Sequence, residues 1–138
     1  MKTLVSLLVL VACLASVGCK GPVEEVKAFL NEKDDVLLQI AKTLEANPTE
    51  AGVDEARKAF EAKKGDLEAK RAALKEKHLE KYGDLTVMML DSAVNTGKMF
   101  QEIRVKFAID CSNKASFDEC ETAKKKLSAL EEDFKAIG

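Results

Sequence analysis

The sequence predicts an all-α protein, an antiparallel bundle of about four helices following an N-terminal signal helix. Three observations carry this. Ala, Glu, Lys and Leu dominate the 138 residues, with only two prolines and no tryptophan, which is the composition of helices. Apolar residues recur at three- and four-residue steps through successive stretches near 22–46, 50–82, 85–111 and 116–137, the period of one helix face. Capping and breaking residues bound those stretches. The length fits one domain, and 33% charged with 46% hydrophobic residues marks a globular rather than a disordered chain.

Residues 1–18 read as a secretory signal. Lys2 supplies a positive start, Leu4 to Val11 an apolar core interrupted only by Ser6, and Ala15, Ser16 and Gly18 small residues at a cleavage site. The apolar run is too short for a stable transmembrane span. Ala15-Ser16-Val17-Gly18-Cys19 resembles a bacterial lipobox, in which small and apolar residues and a Gly precede the Cys that becomes the lipidated first residue; Ser16 stands where that signal class usually has Leu. Leu10-Val11-Ala12-Cys13 matches the pattern more closely but leaves an unusually short signal, so Cys19 is assigned. The resemblance implies a mature lipoprotein domain, 19–138, anchored to a membrane of the bacterial cell envelope through acyl chains such as palmitate on Cys19, with the domain in the periplasm or on the surface. Several chains give stable anchoring where one gives only marginal binding. The alternative is plain secretion after Gly18, with Cys19 as an odd thiol. The only Asn-x-Ser/Thr triplet, Asn47-Pro48-Thr49, carries a disqualifying proline and so is no glycosylation acceptor.

The first helix opens at Pro22, suited to the first helical position, with Glu24 and Glu25 at the positive end of the dipole. Val26, Phe29, Leu30, Leu37, Ile40 and Leu44 form its stripe, and Asn47-Pro48 stops it. Thr49 is a candidate N-cap for the second. There Val53, Phe60, Leu67 and Leu74 recur every seventh residue, extended by His78 and Tyr82, as a narrow coiled-coil-like seam. The Lys, Arg and Glu around it read as a solvated face with ion pairs such as Glu61–Lys64, rather than a basic docking surface. His78, the only histidine, has no partner at ligand spacing and reads as a packed polar residue. Gly83 suits the position after the helix and Asp84 the next cap, which breaks the chain there.

The third stretch, Leu85 to Cys111, carries two apolar faces. Leu85, Met89, Ser92, Thr96, Phe100, Ile103 and Phe107 form one; Val87, Leu90, Val94, Val105 and Ile109 form the other. A helix apolar most of the way round needs partners on more than one side, so this helix is expected to be the buried centre of the bundle. Ala93 and Gly97 suggest a close helix approach or a small cavity, since Gly costs about 1 kcal/mol in a helix interior. Met88, Met89 and Met99 read as core filling. Ser116-Phe117-Asp118-Glu119 is a capping box for the last helix, whose stripe runs Cys120, Ala123, Leu127, Leu130, Phe134, Ile137. With Cys13 leaving in the signal and Cys19 lipidated, Cys111 and Cys120 remain; in an oxidising compartment an even count points to a bridge across the last hairpin.

The sequence contains no nucleophile elbow, no Gly-rich phosphate loop and no zinc pattern, so no catalytic residue, metal ligand or cofactor is assigned and an enzyme is not expected. A net charge of -2 does not imply a nucleic-acid partner. The leading expectation is a membrane-anchored, non-enzymatic helical module that binds another envelope protein. Two alternatives accompany it: a structural protein forming homo-oligomers through the heptad seam, loosely similar to the major murein lipoprotein in signal and helicity, and a carrier of a small apolar ligand inside the bundle.

Overall fold

The computed structural model describes residues 21–138; the signal segment, its helix and Cys19 lie outside the described residues. Four helices account for nearly all of that span: α1 (Pro22–Ala46), α2 (Glu50–Leu74), α3 (Gly83–Ser112) and α4 (Phe117–Ala136). They form the four-helix bundle that the stripes imply. Proline opens α1, with Glu24 and Glu25 in its first turn. The Thr49 hydroxyl accepts from the Gly52 N–H at the start of α2. At α4 the Ser116 hydroxyl accepts from the Glu119 N–H, while the Ser116 N–H and hydroxyl both donate to the Glu119 carboxylate, at 2.9 and 2.7 Å. Those bonds hold the Glu119 carboxyl below its usual range. The cap is therefore complete above the ordinary carboxylate pKa and is lost as pH falls through the depressed value.

The bundle's topology is visible in its ion pairs and grooves. Lys70 of α2 reaches Glu32 of α1 (2.7 Å), while Lys106 near the end of α3 meets Glu45 at the end of α1. Arg57 of α2 pairs with Asp133 of α4 (2.8 Å), and Lys126 with Glu50 and Asp54. Thus α1 packs on α2 and α3, and α4 packs on α2 and α3. Residues 27–34 of α1 share a groove with 88–99 of α3, so α1 and α3 run parallel as neighbours. The connection from α2 to α3 therefore crosses the bundle diagonally.

That connection differs from the sequence expectation. The second helix was expected to reach Tyr82. Its α-helical part ends at Leu74, widens into a π turn over Lys75–Leu79, and gives way to a turn. The π turn re-aims His78 at Glu25 of α1, 3.0 Å away, so His78 is the packed polar residue expected. Tyr82, half exposed, occupies the N-cap position of α3, and Gly83 is its first residue rather than the residue after α2. The break itself is where the sequence placed it. Glu61 meets Arg57 rather than Lys64.

The core is one continuous cluster drawn from all four helices. At its centre the Phe134 ring of α4 lies 5.5 Å from Phe60 of α2 and 5.4 Å from Phe100 of α3, within the range where aromatic pairs contribute beyond simple burial. Cys111 and Cys120, both buried, stand at disulfide distance across the α3–α4 hairpin, with Cα atoms 5.9 Å apart. The heptad residues Val53, Phe60, Leu67 and Leu74 are all inside the bundle. The seam is thus used by this chain's own helices.

The glycine that packing requires is Gly52, not Gly97. A Cβ built on Gly52 would fall well inside van der Waals contact with the Asn47 backbone carbonyl, because the tight α1–α2 turn folds over the first turn of α2. Gly97 would meet nothing within 4 Å; no helix approaches it among the described residues, contrary to the expected close approach. Gly52→Ala is therefore expected to destabilise by about 1–3 kcal/mol, the range for overpacking, although Ala is the better helix former. Gly97→Ala is expected to be neutral or to stabilise by up to about 1 kcal/mol. Urea melts of the two variants side by side check this, and an equal response would remove the steric argument.

Candidate functional site

The third helix is where structure and sequence part most clearly. Its first apolar face is inside: Leu85, Met89, Thr96, Phe100, Phe107 and Cys111 are buried. Its second is not. Val87, Leu90, Val94, Val105 and Ile109 are 54, 61, 59, 58 and 60% exposed. At about 100° per residue the two faces lie on nearly opposite sides of the helix. Among the described residues α3 packs on α1, α4 and the π turn, so one face is served and the other is left open. The expectation that α3 is the buried centre is therefore corrected: α3 is a peripheral helix that contributes one wall of the core and presents a second apolar stripe to solvent.

The stripe runs from Val87 to Ile109, about 33 Å at 1.5 Å per residue. Gly97, Gln101 and Ala108 complete it, and Asp91, Lys98, Glu102 and Lys106 border it along one edge. Beside it, an open groove between α3 and α4 is lined by Val105, Ala108 and Leu127, with Arg104 at its side. Single exposed apolar residues are ordinary on protein surfaces, but five large ones on one face of one helix, in two groups (Val87, Leu90 and Val94; Val105 and Ile109), point to a contact site.

A smaller feature bears on ligand binding. Between α1 and α3, Ala41, Leu44, Met99, Ile103 and Phe107 line a half-open cavity of about 200 Å³, rimmed by Glu45, Glu102, Lys106 and Asp110. The Lys106–Glu45 ion pair lies at this rim. Of the methionines read as core filling, Met89 is in the core and Met99 lines the cavity. Met88 lines a separate, more polar groove, and Gly97 borders neither.

Two buried charges escaped the sequence reading. Lys33 continues the α1 stripe between Phe29 and Leu37 and is only 1% exposed. Its ammonium sits 5.8 Å from the centre of the Phe134 ring and has no carboxylate within ion-pairing distance among the described residues. Burial pushes its pKa down; Asp34 opposes that shift and Arg71 adds to it. The gap in the stripe between Leu30 and Leu37 was the available signal. Glu131, also buried, lies between Arg104 (3.2 Å) and Lys135, a compensated arrangement that Lys33 lacks.

Lys33→Met keeps the volume and removes the charge, and is expected to stabilise by about 1–3 kcal/mol. The folded pKa of Lys33 lies below the unfolded value of 10.5, so between the two the unfolded chain binds more protons and this residue's contribution to stability rises with pH. Urea melts from neutral pH toward that value check both points. A variant that is less stable than the parent at neutral pH would mean the charge is compensated in place.

Among the described residues, no group of three or more His, Cys, Asp or Glu side chains is placed to hold a metal ion, and no helix is long and apolar enough to cross a membrane. What the fold and its surface define is a four-helix bundle in which, among the described residues, the outer apolar face of α3 has no partner. No protein-family model, curated protein or solved structure matches this chain.

Proposed function

We propose that this protein is a lipid-tethered, non-enzymatic module of the bacterial cell envelope that works by binding protein, with the outer face of α3 as its contact surface. The observation that carries the reading is the exposed stripe Val87–Leu90–Val94–Val105–Ile109. An amphipathic helix with an open apolar face is a standard docking element, because covering it removes apolar surface from water. The lipobox-like Cys19 supplies the tether, and the hairpin cysteines suit an oxidising compartment.

The test uses the full chain in its native envelope. A photoreactive residue at Val94 is expected to give protein adducts on illumination, whereas one at exposed Lys58 on α2 is not. Absence of adducts at Val94 would remove the reading. In the same cells, Cys19→Ala is expected to release the protein from membranes or leave it as unprocessed precursor; wild-type fractionation and migration would remove the tether.

The α1–α3 cavity supports a second reading, binding of a small apolar ligand. Its volume of about 200 Å³ is below the range of roughly 300–1,000 Å³ usual for small-molecule sites, which ranks it behind protein binding.

A further inference from the structure

We infer that the half-open cavity between α1 and α3 takes a small apolar ammonium, its hydrocarbon part against Leu44, Met99, Ile103 and Phe107 and its charged head at the mouth. The inference rests on the second reading of the function, apolar-ligand binding, and names the head group of that ligand.

The walls set the size and the body of the ligand. Ala41, Leu44, Ile103 and Phe107 bring no polar side-chain atom to the cavity, and Met99 brings only a thioether, which adapts to irregular apolar shapes. A dry apolar cavity of about 150 Å³ is enough to hold benzene. A volume of about 200 Å³ therefore admits one ring or a short alkyl chain and little more. Because the cavity is open on one side, a polar end can stay in water, and the penalty for burying it is avoided.

The mouth sets the sign of the charge. Glu45, Glu102 and Asp110 stand there against one ammonium, that of Lys106, which leaves a net charge of -2 among the described residues that line the cavity. Lys106 is already engaged. It donates a hydrogen bond to Glu45, and Asp110 attracts it at longer range; both raise its pKa. Neither Glu102 nor Asp110 has a side-chain hydrogen bond or ion pair of its own among the described residues.

The backbone adds to the same sign. Since α1 and α3 run parallel, their C-terminal ends come together here, with Glu45 in the last turn of α1 and Asp110 in the last turn of α3. Helix C-termini carry partial negative charge and favour cations, yet neither last turn contains a basic residue. Carboxylates are the unfavourable choice at such ends, so Glu45 and Asp110 build a negative potential that Lys106 only partly offsets. An ammonium held by the apolar walls completes that balance. A carboxylate ligand meets repulsion from the same groups, and a neutral one gains from the walls alone.

Titration of the full chain in nanodiscs of zwitterionic lipid, followed by the methyl NMR signals of Ile103, tests the assignment with three probes of one size. 2-Phenylethylamine is expected to shift the Ile103 methyls at roughly three- to tenfold lower concentration than 2-phenylethanol, the scale of exposed ion pairs, with phenylacetate weaker than both. The Met88 methyl, in a separate groove, is expected to stay in place. Glu102→Gln/Asp110→Asn is expected to bring the amine to the level of the alcohol while leaving the alcohol unchanged. Ala41→Leu, which fills the cavity, is expected to weaken both; unchanged binding in that variant would place the probes elsewhere and overturn the site. Equal binding of amine and alcohol to the unsubstituted chain would overturn the ammonium head group and leave the apolar-ligand reading standing. If none of the three probes moves the Ile103 methyls, both fall.

Discussion

Phe134→Ala is expected to lower the unfolding free energy by about 3–5 kcal/mol, the range for a large aromatic removed from a core. Phe134 is fully buried, and its ring contacts Phe60 and Phe100 from two other helices. Its loss also takes away the ring beside Lys33, leaving a buried ammonium with poorer surroundings. The cavity left behind borders three helices, so no single side chain can close it. Phe100→Ala, equally buried, belongs in the same range. Ile103→Ala should cost less, because Ile103 is only partly buried and lines the α1–α3 cavity. Val53 is fully buried, so Val53→Ala is expected to be no milder than Ile103→Ala. Urea melts of the four variants give the order directly. A loss below about 1 kcal/mol for Phe134→Ala would mean that the three-ring cluster is not the centre of the core.

Removal of the Cys111–Cys120 pair, which stands at disulfide distance, has the next largest expected effect. A cross-link closing a loop of about ten residues is worth roughly 2.5–3 kcal/mol in the chain-entropy model. Both cysteines are buried, so the double variant Cys111→Ala/Cys120→Ala tests the bridge without placing new hydroxyls in the core. Melts with and without reductant should show the parent losing this stability on reduction and the variant indifferent to it. Thiol labelling of denatured, unreduced protein from the envelope is the independent check. If Cys111 and Cys120 both label, the two residues are merely close and the bridge does not form in the cell. The spacing is far from Cys-x-x-Cys, so the expected role is to staple the hairpin rather than to carry out redox chemistry.

The amino-acid sequence by itself determined the four helices and most of their limits. It did so because the signals are local: Pro22 and the acidic first turn, the Thr49 cap, and the reciprocal Ser116–Glu119 box all act within one turn of chain. That Cys111 and Cys120 come within disulfide distance was equally legible, since a short turn between two helices brings them face to face. What the tertiary structure decided is which faces are covered. Periodicity tells which side chains of α3 share a face, but not how many neighbours the helix will have. The diagonal α2–α3 connection leaves α3 with its neighbours on one side, and its second apolar face stays in water. The same geometry made Lys33 a core residue, because the stripe it sits in faces inward along its whole length. It also made Gly52 rather than Gly97 the glycine that packing requires. Local pattern specifies the elements; burial belongs to their arrangement, and the candidate binding face exists only because that arrangement leaves one stripe without a partner.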